Sequence, residues 1–442
     1  MVERLVLGGA LLSSAEEPLE EDWGVAIDGA VIAAIGPNEA LRGEHSHAEV
    51  IDATGLLLMP GFVNAHMHSY GLLAHGIPVD APSAGFYEFL SGFWWPRVEN
   101  RLDRAMIAAA FRLACGRMIQ SGFTSFCDIL EAPNALPGAL EVEEGVLKDA
   151  GLRGVLSIEA SERLGTKLGE RAILENAEFA ERHIGDQLIR GMMCIHTSFT
   201  CSADFINRAK EMADKLGCGI HLHLSESPYE PEACLKRCGL RPVEWYDQLG
   251  FWDGSVLASQ GVVLEPEEIE ILAARGVRLA HMPLSNCEVG GGIAPVPDMI
   301  SRGMRPGLGT DGYINDPFEV MRAAFLIHKG ALRDPQVMPA KTVFAMGTSW
   351  GAEAIGIPAT GRIAQGMLAD LIGIERSLDT PLTKENALDQ VILYRNGTDV
   401  SLSIVGGTPL MQDHQLLTMD IKKVRCDAIV QASRLWEMSK RG

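Results

Sequence analysis

Basic residues are scarce in this sequence of 442 residues. Lysine and arginine together number 38, against 58 aspartates and glutamates, so the formal net charge is −20. Nucleic acids and anionic membranes attract proteins through basic surface, and the charge therefore argues against either as a partner. The charge balance does not indicate what the protein does bind.

Long apolar runs and paired cysteine motifs are also lacking. No apolar stretch approaches the ~20 residues of a membrane span. The first residues, MVERLVLGGALLSSAEE, carry an acid at position 3 and no long apolar core, which argues against a secretory signal. The nine cysteines are scattered without a CxxC motif, as expected for reduced thiols. These absences predict a cytoplasmic protein.

The middle of the sequence, from about residue 61 to 330, has a regular alternating pattern. Eight apolar runs of strand character are separated by amphipathic runs of helical character. Strands that alternate with helices form parallel sheets, so this order predicts an α/β fold, the (β/α)₈ TIM barrel. The eight runs are MPGFVNAH, TSFCDIL, RGVLSIEA, IRGMMCIH, GIHLHLSE, SVLASQGVV, VRLAHMPLSN and RPGLGTDG.

The two ends of the chain have a different texture. Residues 1–57 and 361–425 hold short alternating runs with glycine-bearing turns, as in GVAIDGAVIAAIG and VILYRNGTDVSLSIVGG. We predict that both ends together form one small β-sandwich domain. Residues 58–360 then form the barrel, and residues 426–442 form a C-terminal helical tail.

Histidine is infrequent, with twelve residues, yet the sequence holds three His-x-His pairs. The pair in RGEHSHAEV has polar surroundings, which indicate a surface loop. The other two, His66 with His68 and His221 with His223, lie at the ends of apolar runs. On a strand, residues two apart point to the same face, roughly 6–7 Å apart, and both imidazoles can reach one metal ion. On a helix they would point about 200° apart.

Further chemically active side chains lie at the ends of the predicted strands. In barrels of this type the active site forms at that rim, from the ends of several strands. We therefore expect the site there. The rim residues are His66, His68, Asp128, Glu159, His196, His223, Glu226, His281 and Asp311.

Together these stretches resemble the amidohydrolase superfamily over nearly the whole chain. PGFVNAHMH is similar to its first-strand His-x-His motif, HLSE to its fifth-strand His-x-x-Glu motif, and LAHMPLSN with RPGLGTDG to its seventh and eighth strands. GRIAQGMLADLIGIE resembles the segment that returns to the small β domain. The nearest branch is the single-metal aminohydrolases, which include cytosine and guanine deaminases and s-triazine chlorohydrolases. FYEFLSGFWWPRVENRL and IEASERLG most resemble its SsnA-like members.

The resemblance implies a metal site. Its ligands would be His66, His68, His223 and Asp311. His221, one pleat deeper, would pack against or support the site, and the alternative is that His221 is the fifth-strand ligand. Three imidazoles and one carboxylate suit one divalent ion, Zn²⁺ first and Fe²⁺ as the alternative. The two-metal branch uses a modified lysine on a middle strand, and RGMMCIHTSFT has no lysine.

The resemblance also implies roles in catalysis. A metal ion lowers the pKa of bound water toward ~7. Asp311 would accept a proton from this water, and Glu226 would carry a proton to a ring nitrogen of the substrate. His196 and His281 are candidate substrate contacts, and for both a buried structural histidine is the alternative. Asp128 and Glu159 are expected to be structural acids outside the catalytic set.

One position departs from the family pattern. Relatives usually carry a sixth-strand histidine in a phrase like LAHGVHL, whereas this chain reads VLASQGVVL. Gln260, or alternatively Ser259, occupies that position, and we expect Gln260 to face the hydroxide or the substrate. Metal binding would survive this change, but activity is less certain from the sequence.

Aromatic residues, which make up only 6% of the chain, cluster between positions 70 and 95. A lid that stacks on a flat heterocycle, a subunit interface and ordinary core packing all fit this segment. By the resemblance, we also expect a homo-oligomer, a dimer or larger.

The leading hypothesis is a metal-dependent hydrolytic deaminase. Its small-molecule substrate would be an amino-substituted nitrogen heterocycle such as a purine, pyrimidine, pterin or triazine. One alternative is a hydrolase that expels chloride or a substituted amine from a similar ring. Another is a catalytically impaired metal-binding barrel, which the glutamine at position 260 keeps open.

Overall fold

The computed structural model describes residues 2–79, 83–313, 316–377 and 379–440. Among these residues, no helix combines the length and the apolar character that crossing a bilayer requires. In chain order the strands are β1 (Arg4–Leu11), β2 (Glu20–Glu21), β3 (Trp23–Asp28), β4 (Val31–Pro37), β5 (Glu49–Pro60), β6 (Phe62–Met67), β7 (Phe123–Leu130), β8 (Arg153–Ile158), β9 (Ile189–Gly191), β10 (Met193–Cys194), β11 (Ile220–Leu224), β12 (Val256–Gln260), β13 (Arg278–His281), β14 (Gly307–Leu308), β15 (Leu371–Glu375), β16 (Val400–Val405), β17 (Thr408–Gln412) and β18 (Gln415–Leu416).

Helices fill most of the connections between these strands. The α-helices are α1 (Asn38–Glu44), α2 (Phe86–Phe89), α3 (Trp95–Arg97), α4 (Arg104–Ser121), α5 (Ala139–Ala150), α6 (Thr166–Arg182), α7 (Ala203–Leu216), α8 (Tyr229–Cys238), α9 (Pro242–Gln248), α10 (Pro266–Ala274), α11 (Pro283–Glu288), α12 (Val296–Ser301), α13 (Pro317–Leu332), α14 (Ala340–Gly347), α15 (Ser349–Ala354), α16 (Ala387–Tyr394) and α17 (Ile421–Ser439). A π-helical turn spans Leu90–Trp94, and short 3₁₀ helices span Ser69–Ala74, Glu99–Arg101, Pro133–Ala135 and Gly397–Asp399.

The ends of the longer helices follow from local sequence. Asp103 caps α4 by accepting a hydrogen bond from the backbone N–H of Met106, and Ser202 caps α7 in the same way. Each helix ends at a glycine in the left-handed conformation, Gly122 with φ 96° and Gly217 with φ 65°. Glycine is favoured there because it has no Cβ to clash with the backbone.

Two parallel sheets form the centre of the molecule. One has the order β6–β7–β8–β9 and the other the order β10–β11–β12–β13–β14. Single parallel bridges join them at both seams, Met67 to Asp311 and Ala160 to Ile195. Each of the eight predicted strand runs contains a strand, and IRGMMCIH contains both β9 and β10. This arrangement is consistent with the predicted barrel, and it brings the ends of β6, β11 and β14 to one rim.

Strands from both ends of the chain meet in a separate mixed sheet. Its order is β18–β17–β16–β15–β5–β1–β3–β4, with β2 paired to β1. The central contact is antiparallel, between β15 and β5, with Leu371 opposite Pro60. A two-layered sandwich, the predicted domain limits and the homo-oligomer stay predictions. The C-terminal helix α17 begins at Ile421, five residues before the predicted tail at 426.

A buried ion pair joins the mixed sheet to the barrel. Arg153, at the start of β8, donates from Nε and Nη2 to the two carboxylate oxygens of Asp370, at 2.7 and 2.9 Å. Asp370 directly precedes β15, and its Oδ1 also accepts the backbone N–H of Gly406 at 2.7 Å. Both charged side chains are almost fully buried. The pair therefore fixes where the mixed sheet sits on β8.

We expect Asp370→Ala to lower the free energy of unfolding by about 3–5 kcal/mol, because it leaves the Arg153 guanidinium buried without its counter-charge. Equilibrium urea unfolding of the purified protein measures this loss. Glu49→Ala is the matched control, since it breaks the solvent-exposed pair with Arg4 and should cost less than about 1 kcal/mol. Equal losses in the two variants would contradict the assigned role of Asp370.

Candidate metal centre and active site

Three imidazoles converge at the rim formed by β6 and β11. His66 lies in β6, His68 directly follows it, and His223 lies in β11. The Nε2 atoms of His68 and His223 are 3.2 Å apart, and potential ligand atoms of all three rings lie within 4.8 Å of one another. The buried Nε2 of His66 has no hydrogen-bond partner. An unpartnered buried nitrogen among converging nitrogens fits a divalent metal ion.

The outer nitrogens of two of these rings face other barrel strands. Nδ1 of His68 hydrogen-bonds the backbone carbonyl of Ile129, in β7, at 2.7 Å. Nδ1 of His223 lies 3.4 Å from Oε2 of Glu159, the residue after β8. The carbonyl partner orients His68 and turns its other nitrogen toward the metal, whereas the contact of His223 with Glu159 is one of charge and proximity without a hydrogen bond.

Burial keeps two of these histidines, His66 and His223, in the form that binds metal. It lowers the pKa of His66 well below its usual value, and the neighbouring His68 and His223 rings lower it further. Burial, followed by the charge of His68, lowers the pKa of His223 to about 3. Metal ligation requires a neutral imidazole, so both rings are ready to bind at neutral pH.

Asp311 lies beside the three imidazoles. It follows β14, bridges to Met67 in β6, and has a φ of 56°, which is uncommon for a residue other than glycine. Its Oδ1 is 3.7 Å from Nε2 of His68 and accepts the backbone N–H of Gly312 at 2.8 Å. The carboxylate is thus within reach of an ion held by the histidines, although it lies outside their tightest group.

Gln260 binds the other oxygen of Asp311. Its Nε2 donates to Oδ2 at 2.8 Å, and Oγ of Ser285 donates to the same atom at 3.0 Å. Burial raises the pKa of Asp311, but the His68 and His223 rings and the hydrogen bond from Gln260 outweigh this effect, so the pKa is lowered. The carboxylate therefore stays ionised, as a ligand and proton acceptor must.

Glu226 lies in the wall of the same cavity, two residues beyond the end of β11. Burial raises its pKa well above the usual value, and the carboxylates of Asp311 and Glu230 raise it further. Two carboxyl groups in one cavity therefore have pKa values shifted in opposite directions. Such a pair is suited to separate acid and base roles.

His196 also lines the cavity, as predicted for a substrate contact. Its Nδ1 hydrogen-bonds Oγ1 of Thr200 at 2.8 Å, and its Nε2 lies 3.3 Å from Oε1 of Glu159. The ring of Trp95 meets it edge-on, with centroids 5.9 Å apart. The imidazole is held from several sides, and its substrate role stays a proposal.

The structure does not bring His281 to the cavity. The pleat of β13 turns its ring toward the helix layer, where its Nε2 lies 3.2 Å from Nε2 of His328 in α13. His281 is fully buried and is absent from the cavity lining. Its surroundings are those of a structural histidine, the alternative that the sequence left open, and its substrate contact stays a prediction.

A network of buried charges beside the cavity was missed from the sequence. Arg163 donates from Nε to Oε1 of Glu131 at 2.5 Å and from Nη2 to Oε2 of Glu99 at 2.9 Å, and Oη of Tyr70 donates to Oε1 of Glu99 at 3.0 Å. Burial raises the pKa of Glu159, and the nearby Glu131 and Glu99 raise it further. Glu159 was placed outside the catalytic set, yet it contacts two rim histidines. Glu131 and Glu159 follow consecutive strands, and that spacing was the available signal.

The aromatic segment forms one side of a cavity of about 1170 Å³. Tyr87 stacks on Tyr229 with ring centroids 4.2 Å apart, and a π-helical turn spans Leu90–Trp94 in the same segment. Residues 80–82 of this segment lie outside the described part of the chain. The aromatic lining residues are Tyr70, Phe86, Tyr87, Phe89, Phe93, Trp94, Trp95, Tyr229 and Tyr313.

Comparison with known proteins places this geometry in a family. The sequence profile of the amidohydrolase family matches residues 57–408. The chain belongs to the amidohydrolase family. A 5-methylthioadenosine/S-adenosylhomocysteine deaminase of Pelotomaculum thermopropionicum is 32% identical to this amidohydrolase over 439 residues, 98% of each chain. A 5'-deoxyadenosine deaminase of Methanosarcina mazei is 34% identical over 417 residues, 93% of each chain.

One solved structure is also similar to this chain. An adenosine deaminase from Xanthomonas campestris with bound zinc superimposes with a TM-score of 0.90, at 25% identity and with 98% of each chain covered. The predicted family is confirmed, as is the predicted enzyme class, a metal-dependent hydrolase of C–N bonds of the deaminase type. The donor set of this amidohydrolase fits a divalent metal.

We expect the purified amidohydrolase to hold one divalent metal ion per chain. His66→Ala and His223→Ala should each remove most of it, because two histidines and a carboxylate hold such an ion far less tightly than the full set. Metal analysis after dialysis gives the occupancy, and His47→Ala in the N-terminal region is the control. Two ions per chain, or full occupancy in either variant, would count against the site.

Proposed function

We propose that the protein is a single-metal deaminase that hydrolyses the 6-amino group of a purine nucleoside. The observation that carries this proposal is the convergence of three imidazole nitrogens at a cavity that Asp311 and Glu226 line. The purine nucleoside is suggested by the relatives named as deaminases of 5-methylthioadenosine and 5'-deoxyadenosine.

His66, His68, His223 and Asp311 would hold the metal. Three imidazoles and a carboxylate suit Zn²⁺ first, with Fe²⁺ as the alternative. When bound, the ion supplies water that ionises near neutral pH and a positive charge near the reacting carbon. His66 and His223 enter this role neutral, because burial lowers the pKa of both.

Proton transfers would fall to the two carboxyl groups. Asp311, held ionised, accepts the proton that the attacking water releases. Glu226, whose raised pKa favours its protonated form, delivers a proton to the ring nitrogen next to the amino-bearing carbon and makes that carbon electrophilic. Asp311 then passes the proton it accepted to the amino group, which leaves as ammonia. Glu226 takes back the proton of the added hydroxyl as the carbon keeps that oxygen as a carbonyl.

Glu226→Gln should keep the metal but lower kcat by roughly 10²–10⁴-fold, because an amide cannot pass a proton. Steady-state ammonia release and metal analysis on the same preparation separate the two effects. Glu232→Gln, at the edge of the same cavity, is the control and should stay near the wild-type rate. Wild-type turnover in Glu226→Gln would mean that the proton travels by another route.

The whole proposal is tested by measuring ammonia and chloride release from a panel of compounds with zinc-loaded protein. The panel contains adenosine, 5'-deoxyadenosine, 5-methylthioadenosine, guanine, cytosine and a chlorotriazine. Preference for the 6-aminopurine nucleosides supports the proposal. Release of chloride from the triazine alone would favour the hydrolase alternative. No turnover of any compound by protein that binds metal would favour the impaired barrel, for which Gln260 in place of a histidine is the supporting observation.

The charges of the residues that line the cavity restrict which purine nucleosides the protein should prefer. Among the described lining residues, Arg97 is the only lysine or arginine. The acidic residues that line the same cavity are Glu88, Glu99, Glu131, Glu159, Glu226, Glu232, Glu288 and Asp311. Arg163 pairs with Glu99 and Glu131, and the raised pKa values of Glu159 and Glu226 favour their neutral forms, so the acids that chiefly oppose Arg97 are Glu88, Glu232 and Glu288. This smaller surplus still disfavours anions, and we infer that the preferred nucleoside carries no phosphate.

We expect kcat/KM for adenosine to exceed that for its 5'-phosphate by about 100-fold or more, since unfavourable charge pairs cost several kcal/mol. Both rates come from the same ammonia assay at low and high salt, and the ratio should shrink as salt screens the acids. The double variant Glu88→Gln/Glu232→Gln should reduce the ratio. Equal use of nucleoside and nucleotide would contradict this part of the proposal.

A further inference from the structure

A fourth imidazole lies directly behind the metal site. His221 is fully buried in β11, two residues before His223 and on the same face of the strand. Its Nε2 is 3.1 Å from Nδ1 of His66, and the two ring planes differ by only 11° with centroids 5.0 Å apart. At that separation the nearly parallel rings meet edge to edge through the nitrogens. His221 is therefore a partner of the ligand His66, and it lies outside the three-histidine group.

The other nitrogen of His221 also has a partner. Its Nδ1 lies 3.5 Å from Sγ of Cys194, which is buried in β10 and directly opposite His221 in the sheet. The thiol in turn donates toward the backbone carbonyl of Ile195 at 3.6 Å. A chain of contacts thus runs from His66 through His221 and Cys194 to the backbone.

Metal binding would fix the direction of this chain. A neutral imidazole carries one N–H and one acceptor nitrogen. If His66 binds an ion through Nε2, its proton is on Nδ1 and is donated to Nε2 of His221. The proton of His221 must then be on Nδ1, pointing at the sulfur of Cys194, whose own proton points at the carbonyl.

The hydrogen-bond partners of His66 and His68 differ in whether they can donate a proton. The carbonyl of Ile129 can only accept, so it holds His68 in one tautomer by itself. An imidazole can either donate or accept, and His221 in its other tautomer would push the proton of His66 onto Nε2, where the metal binds. The acceptor sulfur of Cys194 favours the tautomer that leaves Nε2 of His66 free.

We propose that His221, backed by Cys194, is a positioning residue that holds His66 in its metal-binding tautomer. This inference rests on the metal site proposed above but not on the substrate or on turnover.

The test measures Zn²⁺ affinity by competition with a chromogenic chelator. Loss of an outer partner of a ligand histidine typically weakens metal binding about 10–100-fold, and we expect a loss in this range for His221→Phe. His221→Gln, whose amide oxygen can accept from His66, should recover much of the affinity. His328→Phe is the matched control, because it breaks a buried histidine pair outside the metal site, with His281, and should leave the affinity unchanged.

Histidine-selective ¹⁵N NMR of the zinc-loaded wild type gives a second measurement that needs no variant to fold. It should show the Nδ1–H tautomer for both His66 and His221. Wild-type affinity in folded His221→Phe, or a His221 proton on Nε2, would overturn this inference and leave the proposed function standing. A wild-type protein that binds no zinc would overturn both.

Discussion

A buried neutral imidazole has two nitrogens and one N–H proton. The metal site depends on which nitrogen of each ring carries the proton and which one faces the metal. For His66, His68 and His223 to turn Nε2 toward one point, each Nδ1 must face something else. The barrel supplies a different group for each: an imidazole within β11, a carbonyl in β7 and a carboxylate after β8. These partners come from neighbouring parallel strands, so the strand register that closes the barrel also orients the ligands.

The neighbours of Asp311 and Glu226 favour different protonation states for these two carboxyl groups. Asp311 faces imidazoles and receives hydrogen bonds from Gln260, Ser285 and Gly312, which favours its charged form. Glu226 faces other carboxylates, which favours its neutral form. Two carboxyl groups in one cavity are thus suited to opposite tasks, Asp311 to accepting a proton and Glu226 to donating one, because their neighbours differ.

Features that repeat locally could be predicted from the sequence. The eight strand runs, the His-x-His spacing and the positions of Glu226 and Asp311 at strand ends all follow from periodicity along one segment. Features that depend on packing between distant segments could not. His281 turns toward α13 because of how β13 sits between its neighbours, and the Glu99–Glu131–Arg163 network joins three separate loops. The contact of His66 with His221 spans 155 residues, and the sequence indicated only that His221 supports the site.

Gln260 shows why an unusual residue at a rim position is compatible with catalysis. Its Nε2 donates to the Asp311 oxygen that Ser285 also binds, so its geometric task is to orient a carboxylate. A neutral amide performs that task at every working pH, whereas an imidazole would do so with a charge that varies between pH 5 and 8. A charged donor would also stabilise the ionised form of Asp311 more strongly and weaken it as a proton acceptor. With glutamine at this position, the ionised form of Asp311 is stabilised less than a charged imidazole would stabilise it, and Asp311 is a stronger base. This favours an enzyme with altered activity over an inactive one.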